Sequence, residues 1–509
     1  MSARRVVLRL SSCVLAGALA ACASSDGYVI VTVAARAAVH DATSLTVTLA
    51  NAGTTRMDTL TLTGAFPVTF SISTPGRTGD LAITLDATDA TGVVVGHGSG
   101  QAQIGADKAS VFLESTDFVV NTEFAGNQFT SNDFEASGFQ LAALPDGTWT
   151  AAFRDDCQDN NCNLFARRFD ANGVAIQSAV AVSANAFDLS SKTTSNASTP
   201  ALAAGATTTL AVWDFFDGGG ATTTGVACRA LDAAGNAGTA QLAVSADAAD
   251  VVSLAALGSG NFVASWSTST GGVQGIHAAR IKPDCTPLGA VVAVSAMSDT
   301  FIHRAAVASS GTNILFTWIV DGDLHARVMS NAGVLMGTDT VLVPKTTTDE
   351  ILHARIAPVE GGFLIAARWA QITGTDGPGR IEVIRVDTAG VRVGDPILVT
   401  DRSSTDSDSS ESFGFASGAT GAMVVWHACG ALGDESGCGV FGRFVGATGE
   451  PLGDSFGLAT TTNGEQTRPS VAALPTGFVA SWTDASQKPP DTAGQAVRAR
   501  IFYSNPLGL

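Results

Sequence analysis

Six cysteines and a scatter of carboxylates are the residues of this chain with the clearest chemical options. Cys157 and Cys162 stand in CQDNNC, Cys429 and Cys438 in CGALGDESGC, and Cys228 and Cys285 lie apart from both pairs. Close pairs in an exported chain are expected to form loop disulfides, because an oxidising compartment lets the bond persist. A zinc site needs four clustered ligands, and no histidine recurs beside both pairs, although His427 neighbours Cys429. For Cys228 and Cys285 a bridge and two separate thiols both stay open, since sequence does not give their separation.

The carboxylates gather in a few irregular segments. Asp155, Asp156 and Asp159 surround the first cysteine pair, Asp214 and Asp217 follow Trp213, Asp321 and Asp323 follow Trp318, and the run DRSSTDSDSSES carries Asp401, Asp406, Asp408 and Glu411. Carboxylates in loops hold calcium when enough oxygens converge, so calcium is the cofactor these segments could take. Two carboxylates across a cleft also perform glycoside hydrolysis, given a defined separation. None of the runs has the ligand spacing of a known calcium loop, and nothing singles out a catalytic pair, so a solvated acidic surface is the plain expectation. No Ser/His/Asp or Cys/His constellation stands in a recognisable context. His40, His97, His277, His303, His325, His353 and His427 are expected in packing or surface roles.

The elements that position these residues repeat. Phe153, Trp213, Trp266, Trp318, Trp369, Trp426 and Trp482 recur 51 to 60 residues apart, with Ala367 at the aligned position of the fifth copy and Trp369 two residues on. Upstream of each lies an apolar residue followed by alanine, in Leu141-Ala142, Leu202-Ala203, Leu254-Ala255, Val307-Ala308, Ile356-Ala357, Phe415-Ala416 and Val471-Ala472. Downstream come Arg167, Arg229, Arg280, Arg327, Arg443 and Arg500 at one position, with Arg385 one place off, then turns such as Asp170-Ala-Asn-Gly173 and a β-branched fourth strand. Four antiparallel strands repeated seven times predict an all-β, seven-bladed propeller over residues 117 to 509. The last copy lacks its fourth strand, and Phe118 to Thr122 supplies the missing pattern, so the chain's ends are expected to share one blade. Features common to all copies serve the scaffold; function is expected in features found in one or two. Antiparallel order sends the second-to-third loops and the blade connections to one face, where binding is expected, and these loops read as long and different in every blade.

Residues 28 to 116 read as seven short alternating strands, the third over Asp58 to Thr63, in an immunoglobulin-like β-sandwich without a cysteine pair that serves as a spacer. Residues 1 to 21 carry Arg4, Arg5 and Arg9 before an apolar run, and Leu19-Ala20-Ala21-Cys22 resembles the site at which a lipoprotein signal peptidase cuts. That resemblance implies acyl chains on Cys22, a tether over residues 22 to 27, membrane attachment through the lipid, and, with Ala23 next, the outer membrane. The other reading is an ordinary secretory peptide. The formal charge of −18, from 28 Lys and Arg against 46 Asp and Glu, becomes −21 once the three leader arginines leave. Such a surface repels nucleic-acid phosphates and excludes that class of partner.

The repeat unit, seen in PSVAALPTGFVASW and ARRFDANG, resembles those of bacterial secreted and lipoprotein β-propellers of poorly characterised activity. The resemblance implies the scaffold and brings no reaction with it. The expectation is a lipid-anchored envelope protein that binds a protein or glycan through its variable loop face. The alternative is an extracellular polysaccharide hydrolase or lyase using loop carboxylates.

Overall fold

A computed structural model describes residues 8–10, 28–105, 108–122, 128–129, 140–155, 164–181, 195–197, 200–217, 224–238, 242–247, 249–270, 272–299, 302–372, 379–403, 413–419, 421–430 and 437–503. No α-helix occurs among them. The chain divides into two compact units, Met1–Phe118 and Val119–Leu509.

In the first unit Tyr28–Ala35, Val68–Ser73 and Lys108–Ser115 build one layer, with Leu8–Leu10 along its edge. Ser44–Asn51, Thr54–Thr61, Asp80–Thr88 and Val94–Gln103 build the facing layer, and Gly96 and His97 pair with Ser115 and Glu114 of the last strand, so the two layers are one eight-stranded sheet folded over a shared core. The first strand runs parallel to the last, and every second residue turns inward, so that Val29, Val31 and Val33 share one core with Leu45, Val47, Leu49, Leu81, Ile83 and Leu85. This is the expected sandwich, held by apolar packing. Its third strand starts at Thr54 rather than at Asp58. Ala52 and Gly53, both left-handed, turn the chain so tightly that Asn51 already faces Thr54.

The second unit is the seven-bladed propeller. Alternation gives way to full burial because a blade packs on both of its faces: all eight residues of Gly421–Ala428 and of Gly477–Asp484 are buried. Fourth strands form the rim and are exposed, as along Leu335–Val343 and Pro451–Gly457. The repeat tryptophans fill the spaces between blades, and Trp149, extra to the repeat, is buried and stacked on Phe169. Closure follows the expected route. Gln466–Leu474, Gly477–Asp484 and Ala496–Tyr503 take Phe118–Val119 as their fourth strand, and the Val120 N–H donates to Val497 O at 2.8 Å.

In four of the seven blades the repeated arginine ties the blade to the one before it. Arg167 donates to Val120 O, Arg327 to Val294 O, Arg443 to Val399 O and Arg500 to Leu458 O, in each case within or just past the preceding blade's fourth strand. A backbone oxygen buried between blades needs a donor, and the guanidinium supplies it. The Arg167 contact spans the closure itself. A role repeated around the ring is a scaffold role.

Carboxylates and hydroxyls cap the turns at the opposite face. Hydroxyl donation from Thr148, Thr286 and Thr448 comes first in holding Asp146, Asp284 and Glu450 below the usual carboxylate range, with backbone N–H groups adding to it. A depressed folded value means stability that is present above the unfolded pKa of about 4 and lost as pH falls through the folded one. The midpoint of thermal unfolding is therefore expected to hold steady from pH 7 to about pH 5 and to fall below about pH 4. In Asp146→Asn the acid decline should be shallower; a decline identical to that of the wild type would show that these caps do not contribute.

Candidate functional site at the mouth of the propeller channel

First strands run from the variable face toward the plain one, so the start of each lines the channel mouth and its end lines the floor. The floor is apolar. Ala142, Ala203, Ala357, Ala416 and Ala472 converge there around a cavity of about 210 Å³. Small side chains at one ring position let the inner strands approach closely, which explains why the sequence repeats alanine there.

The mouth is different in kind. Three residues before the apolar-alanine pair the chain places Arg304 in the fourth blade, His353 in the fifth and Arg468 in the seventh. Each stands at or beside a bulge, where the ladder slips between His303 and Ala306, between Ile351 and His353, and between Thr467 and Ser470. Arg304 and Arg468 have φ of 64° and 57°, left-handed values that a side chain with a Cβ adopts at a cost. Arg304 reaches across to the fifth blade, donating to Leu352 O at 2.9 Å and to His353 Nε2. His353 is buried and lies opposite buried Arg368 in the fifth blade's second strand.

Arg355 completes the group. It is 6% exposed, donates to Ala354 O, and lays its guanidinium 5.5 Å from the Phe413 ring centroid at the start of the sixth blade's inner strand. Burial, and after it the charge of Arg304, pushes the Arg355 guanidinium down to about 10. Burial likewise lowers Arg468. In a molecule of net charge −18 this is a local concentration of positive charge.

Loop lengths set how the mouth opens, and here the structure corrects the sequence reading. Second-to-third connections are not long in every blade. Thr270 pairs directly with Val273 in the third blade and Val320 with Asp323 in the fourth, so these blades end in minimal turns. Asp321 and Gly322 have φ of 49° and 84°, the tight geometry that the Asp-Gly pair provides. The remaining connections are longer: 156–163, 218–223, 372–378, 429–438 and 485–495. The third and fourth blades, the latter carrying Arg304, thus have the shortest of these connections.

The residues singled out in the sequence fall in several places. Cys429 and Cys438 are joined, with 3.9 Å between their Cα atoms, and staple the sixth blade's loop. Cys228 and Cys285 are joined across the second and third blades. Asp321 pairs with Lys345 at 2.7 Å and Asp323 accepts from the Lys345 backbone N–H, so both fix the connection into the fifth blade. Asp214 is buried within Thr209–Asp217 instead of standing on a loop. Asp155, Asp217 and Asp401 are placed as backbone within strands Trp149–Asp155, Thr209–Asp217 and Arg392–Ser403. Cys22, Cys157, Cys162, Asp156, Asp159, Asp406, Asp408 and Glu411 lie outside the described residues. Among the described residues no three His, Cys, Asp or Glu side chains form a group able to hold a metal ion. His277 and His325 are bound to Asp247 and Asp339, each at 2.8 Å, away from the mouth group. The Arg304–His353–Arg355 group was missed because arginines were read through their third-strand repeat. Its signal was available in the first strand, where aligned residues differ from blade to blade.

No protein-family model and no curated protein matches this chain. Solved structures do match it. Against the polysaccharide lyase Uly1 the identity is 8% and the TM-score 0.44, over 76% of this chain and 92% of that one. Against the α-L-arabinanase of Penicillium chrysogenum in complex with arabinobiose they are 11% and 0.39, over 76% and 98%. Against a prolyl endopeptidase they are 10% and 0.41, over 72% of this chain and 51% of that one, so the chain spans about half that protein's length. The class of the second unit, a seven-bladed β-propeller, is defined by its own strand order.

Proposed function

We propose that this protein works on extracellular polysaccharide at the variable mouth of its propeller, as a hydrolase or lyase, and that acyl chains on Cys22 hold it at the cell envelope, in the outer membrane. The observation that supports an enzymatic reading is His353. An imidazole buried in the channel wall, with one nitrogen held by a guanidinium and further cations around it, is arranged as proton-transfer groups are arranged in water-poor sites. A surface used for adhesion alone has no need to bury a titratable ring among arginines. The working groups would then be this histidine and its arginines, in place of the loop carboxylates first considered.

Binding without turnover is the second reading. It is favoured by the disulfide in the sixth blade's loop and by the buried pair Arg498 and Asp484, 2.8 Å apart, which fixes the seventh blade's loop through Arg498 donation to Lys488 O. Rigid, irregular loops are what a recognition surface needs. The two readings part on one test: shortening of an extracellular polysaccharide by the wild-type protein and loss of that activity in His353→Ala. Binding without any shortening would give the second reading, and neither binding nor shortening would exclude both.

A further inference from the structure

Arg355 occupies a ring position that every other blade gives to a neutral residue. The seven residues immediately before the apolar-alanine pair are Gln140, Ala201, Ser253, Ala306, Arg355, Gly414 and Ser470. Four of the seven are alanine or serine, and one is glycine. The position itself therefore asks for little volume and no charge, and the scaffold has no use for a guanidinium there. Arg355 is nonetheless buried, and no carboxylate pairs with it among the described residues; what lies near it is another cation, Arg304. A buried charge without a counter-charge is costly, and such a cost persists where a ligand supplies the missing partner.

The surroundings fit that ligand. Phe413 offers the guanidinium a ring face, leaving its edge N–H groups for an acceptor. Ile356, Ala357 and Pro358, next in sequence, line the apolar cavity beneath, so an acceptor at Arg355 lies just above a nonpolar floor. Arg304 and Arg468 are held at equivalent bulges in left-handed backbone on the fourth and seventh blades, and His353 stands at the same ring position in the fifth. Strain repeated at one ring position of a mouth, and absent from the floor, belongs to a site and not to the fold. The group to be recognised is a planar or tetrahedral oxyanion on a sugar, because guanidinium presents two parallel N–H donors to either.

We propose that the mouth between the fourth, fifth and sixth blades is a subsite for the oxyanion of an acidic sugar unit, a carboxylate or a sulfate ester, seated on Arg355 with Arg304 beside it. This rests on the reading that the variable mouth handles polysaccharide, and it names the class: an acidic polymer and not a neutral one. The net charge of −18 does not oppose it, since the subsite reads one group at short range while the surface charge acts over distances that salt screens.

The test is calorimetric titration of wild type, Arg355→Ser and Arg355→Lys with hyaluronan, dextran sulfate and dextran at fixed ionic strength. Wild type is expected to bind hyaluronan or dextran sulfate at least about tenfold more tightly than dextran, and which of the two it prefers tells carboxylate from sulfate. Arg355→Ser is expected to lose that preference while its thermal midpoint stays within about 2 °C of wild type, because serine already serves this ring position in the third and seventh blades. Arg355→Lys, which keeps the charge and loses the paired donors, should fall between them. Undiminished preference in Arg355→Ser overturns the subsite. Equal binding of all three polymers by wild type overturns it too, yet leaves the polysaccharide reading standing. Binding of none, together with no activity on any polysaccharide, removes both.

Discussion

Deleting residues 117–123 is expected to take away most of the stability of the propeller. The segment supplies the fourth strand of the seventh blade, and with it Val119 and Val120, 6% and 0% exposed. Burying each valine is worth roughly 1.5–3 kcal/mol. The Val120 N–H bond to Val497 O and the Arg167 bond to Val120 O add about 1 kcal/mol each. The sum of roughly 5–8 kcal/mol approaches the whole stability of an ordinary domain. The loss is also structural, because Ala496–Tyr503 becomes an open edge, which propellers avoid by closing. The point variant Val120→Asp tests the same contact without shortening the chain, by placing a carboxylate where nothing is exposed. Calorimetry and size-exclusion chromatography should show early, low-enthalpy unfolding and self-association in both variants. A thermal midpoint equal to that of wild type would mean that the ring is closed in some other way.

Removing the bridge between Cys228 and Cys285 is the second large effect expected. The bridge spans 57 residues and ties the third strand of the second blade to a turn of the third. Closing a loop of that length restricts the unfolded chain by about 4 kcal/mol in the chain-entropy account. The choice of variant matters. Cys285 has φ of 68° and stands where Gly173, Gly235, Gly333 and Gly390 stand in other blades, with its N–H donating to Lys282 O as theirs do to the turn residue three back. The disulfide thus holds a side chain in backbone that glycine adopts freely. Cys228→Ala with Cys285→Gly removes only the cross-link and should lower the thermal midpoint by on the order of 10 °C. Cys228→Ala with Cys285→Ala should fall further, because alanine keeps the strain without the bond. If the glycine variant melts with the wild type, the bridge contributes nothing to stability.

These cases show what could be read from the residues and what could not. Blade number, blade order and closure were legible because they rest on periodicity, and Phe153 with six tryptophans and seven alanines mark the same strands in every copy. The sandwich was legible from its alternation, apart from the hairpin at Ala52-Gly53, whose tightness moved a strand start. The bridge between Cys228 and Cys285 stayed open because strand patterns do not give the distance between neighbouring blades; the cysteine in a glycine position was the overlooked sign. The short connections of the third and fourth blades were hidden because loop length was judged on the blades with irregular loops. The mouth group was hardest to see. Arg304, His353, Arg355 and Arg468 belong to three different blades, and only ring closure brings them to one opening. Arg355 was visible as the odd residue in its column, had the first strands been aligned as the third strands were.

That mouth is the centre of the functional account, and the direct measurement is product analysis of extracellular polysaccharides incubated with wild type and His353→Ala at equal concentration. The account predicts that wild type shortens at least one acidic polymer and that His353→Ala does so at least about 100-fold more slowly, with an unchanged far-ultraviolet dichroism spectrum. Shortening by both proteins at the same rate would contradict it, and would move the chemistry away from the mouth of the channel.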